Sequence, residues 1–157
     1  MEREKEIYYA ITYNRFDDLK KLISKENVNH KVKDGYPIHY AVFKNNLIIT
    51  KYLIELGADV NVRFEDESTP LITAAENGFQ ELCELLLEHG TQANAVDNYG
   101  NDALVKAVFY GRTELIKLLI KYGADVNNSK VRGKTAIDLA KEMKLPEIIS
   151  LLTNNKV

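Results

Sequence analysis

The sequence has little of what catalytic and metal-binding proteins use. It contains one cysteine, Cys83, and three histidines in 157 residues. A single cysteine excludes an internal disulfide, and the lack of a second cysteine or of two histidines at helical spacing argues against a zinc site. Neither a G-x-G-x-x-G nor a Walker sequence occurs. No His/Asn arrangement accompanies Cys83, which lies between Leu82 and Leu85, so we expect a buried small hydrophobe. We therefore predict no enzyme, no metal and no cofactor.

The sequence also lacks an excess of charge of one sign and any long apolar run. Its 21 basic and 23 acidic residues are interspersed and leave a net charge of -2, whereas nucleic-acid binders usually carry a basic stripe. No apolar run approaches the roughly 18–20 residues that cross a bilayer, and no apolar segment follows the charged N-terminus. We expect a cytoplasmic, monomeric protein that binds neither nucleic acid nor membrane.

The feature that is present is an internal repeat with a step of 33 residues. A fixed step in this range is typical of a stacked repeat array rather than of a domain with one central site. Five sets of residues recur at this step: Ala41, Ala74, Ala107, Ala140; Ile38, Leu71, Leu104, Ile137; Leu53, Leu86, Leu119, Leu152; Gly57, Gly90, Gly123; and Asn61, Asn94, Asn127. Arrays bind along a surface, and few of them carry out chemistry.

One unit illustrates the local structure that the repeat predicts. Residues 103–110 place apolar side chains at helical spacing, and Gly111 is suited to ending that helix in the left-handed conformation. A second helix is predicted over residues 113–121, with Thr113 as its N-cap and Gly123 at its end. Asn14 and Asn45 replace the glycine at the first stop. A pair of helices this short cannot bury its apolar faces alone, so the units must stack.

The motifs within the repeat resemble those of the ankyrin repeat. The residues that carry this resemblance are Thr69-Pro70-Leu71, Pro37-Ile38-His39, Thr135-Ala136-Ile137, Gly57-Ala58-Asp59-Val60-Asn61 and Gly123-Ala124-Asp125-Val126-Asn127. The resemblance implies an all-α solenoid of helix-turn-helix units joined by extended, hairpin-like loops. It divides the chain into an N-terminal capping unit at 1–29, full repeats at 30–62, 63–95 and 96–128, and a C-terminal capping repeat at 129–157. The polar outer faces of both ends predict a complete array.

Local departures from the family pattern fall in the loops. The turn glycine is replaced by Asp34 and Glu67, and the threonine of the Thr-Pro-Leu-His motif by Tyr36 and Asp102. We expect these changes to alter hydrogen bonding in the turns and to leave the fold intact.

The resemblance implies a concave binding surface formed by loop tips and first helices. Large apolar rings that the fold does not require there favour a contact surface, because aromatic residues and arginine are common at binding hot spots. The mixed charges around them favour a protein partner over a phosphate backbone. The predicted partner-binding residues are Tyr13, Lys33, Phe43, Lys44, Arg63, Glu65, Asp66, Glu76, Asn98, Tyr99, Asn101, Phe109, Tyr110 and Arg132.

Three functional hypotheses follow. The first is a non-catalytic interaction module that acts as an adaptor or as a stoichiometric inhibitor of a protein. The second is a bacterial immunity protein or effector that neutralises or targets one protein. The third is a substrate of an asparaginyl hydroxylase, because Asn61 and Asn127 lie in a Leu-x5-Asp-Val-Asn pattern that resembles the modified loops of animal family members.

Overall fold

The computed structural model describes residues 2–128 and 133–155. Within them the regular secondary structure is helical, and bridges between backbones are isolated, as between Val32 and Gly35. The helices are α1 (Glu2–Thr12), α2 (Phe16–Leu22), α3 (Pro37–Phe43), α4 (Leu47–Glu55), α5 (Pro70–Asn77), α6 (Gln80–Glu88), α7 (Ala103–Phe109), α8 (Thr113–Lys121), α9 (Ala136–Glu142) and α10 (Pro146–Asn154). The all-α solenoid predicted from the sequence is confirmed.

The helices form five antiparallel pairs that stack in chain order. The first helices of the pairs (α1, α3, α5, α7 and α9) pack closely in one row, and the second helices (α4, α6, α8 and α10) pack more loosely in the other. The recurring alanines of the first row have no exposed surface, because their methyl groups let neighbouring backbones approach. The recurring leucines are equally buried between the rows. Closer packing of the first row places those helices on the concave side of the array.

Left-handed residues end the first helices. Gly78 and Gly111 have φ of +74° and +66°, and Asn14 and Asn45 adopt +54° and +53°, as predicted. The helices that follow Gly78 and Gly111 begin without a side-chain N-cap. The prediction of Thr113 as an N-cap is wrong, because α8 begins at Thr113 and its N-cap residue is Arg112. The Arg112 N–H donates to the carbonyl of Ala107 at 2.9 Å, so the tight turn itself satisfies this donor.

An asparagine ladder joins the loops that follow the second helices. Each of three asparagines donates its Nδ2–H to a glycine carbonyl of the next unit and accepts a backbone N–H two residues beyond that glycine. The contacts are Asn29 to Gly57 (2.9 Å) and Asp59 (2.8 Å), Asn61 to Gly90 (3.4 Å) and Gln92 (2.8 Å), and Asn94 to Gly123 (3.1 Å) and Asp125 (2.8 Å). The recurring asparagine is therefore a link between units.

The loop departures have local structural consequences. Glu67 takes the left-handed conformation of the glycine it replaces, with φ of +61°. In the preceding loop Lys33, rather than Asp34, is left-handed at +64°, and the loop closes through the Val32 N–H to the Gly35 carbonyl. Asp102 replaces threonine as a side-chain N-cap of α7 by accepting from the Val105 N–H at 2.8 Å, whereas Tyr36 makes no such cap for α3.

Candidate protein-binding surface

The aromatic residues that the 33-residue step leaves unexplained are exposed. Tyr13, Phe43, Phe109 and Tyr110 lie at the C-terminal ends of first helices, and Tyr99 lies at a loop tip. Their exposed fractions are 68% for Tyr13, 62% for Phe43, 73% for Tyr99, 55% for Phe109 and 48% for Tyr110. We call the surface formed by the ends of α3, α5, α7 and α9 and the loop tips beside them the concave strip.

The largest groove of the concave strip lies between α7 and α9 and has a volume of about 740 Å³. Phe109 and Tyr110 form one wall, with their ring centroids 5.2 Å apart in an edge-to-face arrangement. Val105, Leu139 and Met143 add apolar surface to the lining. An exposed aromatic pair beside an apolar groove is the kind of surface that receives an apolar side chain of a partner.

Ion pairs border this groove on two sides. The Lys106 ammonium lies 2.8 Å from the Glu76 carboxylate, and the side chains are 18% and 41% exposed, so the lysine is the more buried partner. Lys134 pairs with Glu142 on the other side. Lys106 also lies 4.0 Å from the buried Asp97 carboxylate, so the charges at the rims are paired within the array and the centre of the groove is apolar.

Two smaller grooves continue the concave strip toward the N-terminal units. Phe43 and Phe64 line both of them, and their volumes are about 240 Å³ and 360 Å³. Tyr99 lines the second of these, which also reaches Glu76 and Lys106. The Glu76–Lys106 pair therefore separates Tyr99 from Phe109 and Tyr110, and the three aromatics do not form a single cluster.

Several polar residues of the predicted site are held by contacts within the array. Arg63 donates to the backbone carbonyls of Glu67 (3.0 Å) and Val96 (2.9 Å). The Asn101 amide donates to the Asp97 carboxylate at 2.9 Å. Such contacts give these side chains a structural role, and whether they also contact a partner stays a prediction.

The loop before α5 is organised in the same way. Asp66 accepts from the backbone and hydroxyl of Ser68, at 3.0 and 2.6 Å. The Asn98 N–H donates to the Asp66 carbonyl at 2.9 Å, which ties this loop to the next one. These contacts hold both tips at the rim of the groove that Tyr99 lines.

The remaining predicted residues differ in whether their side chains contact other residues of the array. Lys33 lies over the Tyr8 ring at 4.8 Å, and a hydrogen bond to the Tyr8 hydroxyl raises the pKa of Lys33. Tyr13 stacks on Tyr9 with the ring centroids 6.0 Å apart. Lys44 and Glu65 are exposed. Arg132 lies outside the described residues.

Sequence reasoning missed parts of this surface. Tyr9 and Met143 are 45% and 39% exposed, and Met143 lines the largest groove. The 33-residue step places Met143 in the slot of Tyr110, yet the predicted partner-binding residues do not include it. Ile48, on the second helix α4, is 68% exposed and lies outside the concave strip.

Two buried titratable groups, Cys83 and His39, have strongly shifted pKa values. Burial raises the pKa of the Cys83 thiol to about 12, which keeps it protonated at neutral pH, as expected of a small hydrophobe. Burial also lowers the pKa of His39 to about 4, against the opposing effects of the Ser68 and Val62 backbone and the Asp66 charge. Among residues 2–128 and 133–155, no three His, Cys, Asp or Glu side chains come together as a metal site. No helix in this part of the chain could span a bilayer.

Comparison with known proteins agrees with this architecture. Models of ankyrin repeats in three copies and in many copies match residues 7–97 and 86–140. Protein fem-1 homolog C of Homo sapiens is 36% identical over 74 residues, which are 39% of this chain and 12% of that protein. Protein phosphatase 1 regulatory subunit 12A of Mus musculus is 34% identical over 74 residues, 47% of this chain and 7% of that protein. A putative ankyrin repeat protein of Rickettsia bellii (strain RML369-C) is 28% identical over 124 residues, 64% of this chain and 48% of that protein.

The chain thus spans about an eighth of the length of the fem-1 relatives that it matches. The first family model alone covers residues 7–97, more than half of the chain. Ankyrin repeats generally mediate protein–protein interaction and are typically non-catalytic. From the stacked helix pairs, the recurring alanines and leucines and the matched family models, the chain belongs to the ankyrin repeat family.

Proposed function

We propose that the chain is a non-catalytic module that binds a protein partner through the concave strip. The observation that carries the proposal is the exposed edge-to-face pair of Phe109 and Tyr110 beside the groove of about 740 Å³. Neither ring occupies one of the positions that recur every 33 residues and pack the units together, because other residues fill those positions. Exposed apolar surface of this kind is costly to keep in water unless a partner covers it.

A binding module of this kind can act as an adaptor or as a stoichiometric inhibitor. One similar protein is named as a regulatory subunit of a protein phosphatase, a role consistent with action through binding. The paired charges at the groove rims support a protein surface with interspersed charges as the ligand, because a phosphate backbone would require one sign.

The test compares what the full-length chain retains from an extract of its native organism with what a Phe109→Ala, Tyr110→Ala double variant retains. An Ile48→Ala variant is the matched control, because Ile48 is similarly exposed on α4. Quantitative mass spectrometry should show proteins that bind the wild type and the control and are depleted at least tenfold with the double variant. Identical sets of retained proteins for all three would overturn the proposal.

The two other functional hypotheses stay predictions. In the third, the side-chain amide of Asn61 already links two units, and Asn127 occupies the same slot two units later. Intact-mass measurement of native material, followed by peptide mapping, would show an added oxygen on Asn61 or Asn127, and an unmodified mass would remove the hypothesis. The bacterial immunity or effector role depends on identifying the partner.

A further inference from the structure

We propose that the concave strip receives an amphipathic α-helix of the partner, laid along the array so that it crosses successive units. Two apolar side chains on one face of this helix, about 11 or about 14 residues apart, would contact Phe43 and Phe109, and a carboxylate near the first would contact Lys44. This proposal rests on the proposed function and specifies its ligand.

The spacing of the apolar positions sets the length of the ligand. Phe43, Glu76 and Phe109 occupy the same slot in three successive units, so the two phenylalanines are two units apart. Packed helices lie about 8–10 Å apart, which places the two rings roughly 16–20 Å from one another along the array. At 1.5 Å per residue a helix covers this distance in about 11 to 14 residues. Within this range, separations of about 11 and about 14 residues return a side chain to the same face after three or four turns of about 3.6 residues, whereas about 12 or 13 do not.

The backbone chemistry of the concave strip favours a helix over an extended strand. The strip is lined by side chains such as Phe43, Phe64 and Val105, and in the described part of the chain no strand offers an unpaired edge. The loop tips close on themselves, as in the Phe64 N–H to the Ser68 carbonyl and the Asp97 N–H to the Asn101 carbonyl. A strand on this lining would lose water from its amides without gaining partners, whereas a helix satisfies its own.

The charges specify the polar residues of the ligand. Glu76, in the slot between the two phenylalanines, is already paired with Lys106 at 2.8 Å, so the middle of the ligand needs no charge of either sign. Lys44, which follows Phe43 directly, is exposed and makes no ion pair among the described residues. A carboxylate on the ligand within one turn of its first apolar side chain would complement it.

The experiment selects peptides on the full-length chain from two display libraries of about 24 residues. One library randomises a single face of an alanine-rich helix, and the other places the same randomised residues in a glycine- and serine-rich extended chain. The expected result is binders from the helical library with apolar residues 11 or 14 apart and an acidic residue near one of them. Binders from the extended library alone, or none from the helical library, would overturn the proposal.

The selected helical peptide is then titrated against variants by fluorescence polarisation. Phe43→Ala and Phe109→Ala should each raise Kd at least tenfold, and Lys44→Glu should raise it several-fold in a salt-dependent manner, whereas Ile48→Ala should leave it unchanged. A proline at the centre of the peptide should abolish binding. Extended peptides that depend on Phe109 would refute the helical ligand and leave the proposed function in place. Helical binders that ignore both phenylalanines would refute the site.

Discussion

The first helices α3 and α7 carry two surfaces that follow opposite rules. In the slot of Ala41 and Ala107 every unit from the second onward has alanine, and each of these alanines is fully buried. Two residues further along, the slot of Phe43 and Phe109 holds glutamate in the intervening unit, and both rings are more than half exposed. A residue that recurs fills the same environment again in each unit, whereas a residue that varies is released from packing and is free to contact something else.

The largest effect should come from a recurring slot. Leu86 is fully buried between the rows of helices, so Leu86→Ala should lower the free energy of unfolding by about 2–5 kcal/mol, through lost burial and the cavity left behind. Urea denaturation followed by circular dichroism measures this. Leu86→Met, which keeps the volume, should cost less than about 1.5 kcal/mol. An equal loss for both variants would contradict the packing role.

Two glycines in the same slot offer a sharper contrast. A Cβ on Gly78 would lie 1.2 Å from a guanidinium nitrogen of Arg112, whereas Gly111 has open space. Gly111→Ala should cost about 1 kcal/mol from left-handed strain alone. Gly78→Ala should cost about 2–3 kcal/mol, because Arg112 also loses its hydrogen bond to the Glu76 carbonyl, which measures 3.0 Å. In an Arg112→Ala background the two costs, measured by urea unfolding, should converge; a persistent gap would refute this cause.

Acid should destabilise the unit that contains His39. Its pKa is about 4 in the folded chain because of burial, below the ordinary value of 6.5, so the unfolded chain binds more protons between these values. Stability is therefore full above about pH 6.5 and falls as the pH drops toward 4, by about 2 kcal/mol between pH 7 and pH 5. Urea unfolding at both pH values measures the loss, and a His39→Asn variant should lack this component. The same pH slope in both proteins would contradict it.

Asparagine contacts that link two units should contribute more stability than an asparagine contact within one helix. Asn94→Ala removes hydrogen bonds to Gly123 and Asp125 at 3.1 and 2.8 Å, and should cost about 1 kcal/mol because the groups are exposed to water. Asn77→Ala, which removes a hydrogen bond from the Asn77 amide to the Thr73 carbonyl within α5 at 2.9 Å, should change stability by less than about 0.5 kcal/mol. Equal thermal shifts for the two variants would mean that the ladder does not stabilise the array.

The 33-residue step predicted the architecture because the same packing problem recurs in every unit. Ala107, Leu119 and Gly111 could be assigned from their spacing alone. What the step could not predict depends on contacts between loops of different units. The sequence pattern predicts that Arg63 and Lys44 are both exposed cations. In the fold, however, Arg63 donates to the Val96 carbonyl, 33 residues away in the next unit.

The N-cap at Thr113 was wrong for a related reason. Threonine is a favourable capping residue, but here the tight turn already supplies the Ala107 carbonyl to the Arg112 N–H. The helix therefore starts at Thr113, one residue earlier than a Thr113 side-chain cap would require. The sequence pattern also predicts no role for Lys106. A lysine on a first helix is expected to lie in solvent, whereas the Lys106 side chain is only 18% exposed and pairs with Glu76 of the preceding unit.

The smallest effect on stability is expected at Phe109, where the contrast between recurring and varying slots predicts the largest effect on binding. Phe109 is 55% exposed and lies on Tyr110 rather than in the core between units. Phe109→Ala should therefore change the free energy of unfolding by less than about 0.5 kcal/mol in urea, because most of the removed surface was already in water. A buried aromatic of the same size would cost about 3–5 kcal/mol. A loss above about 2 kcal/mol would mean that Phe109 belongs to the packing of the array, and that the distinction between recurring and varying slots fails at the position where the binding surface depends on it.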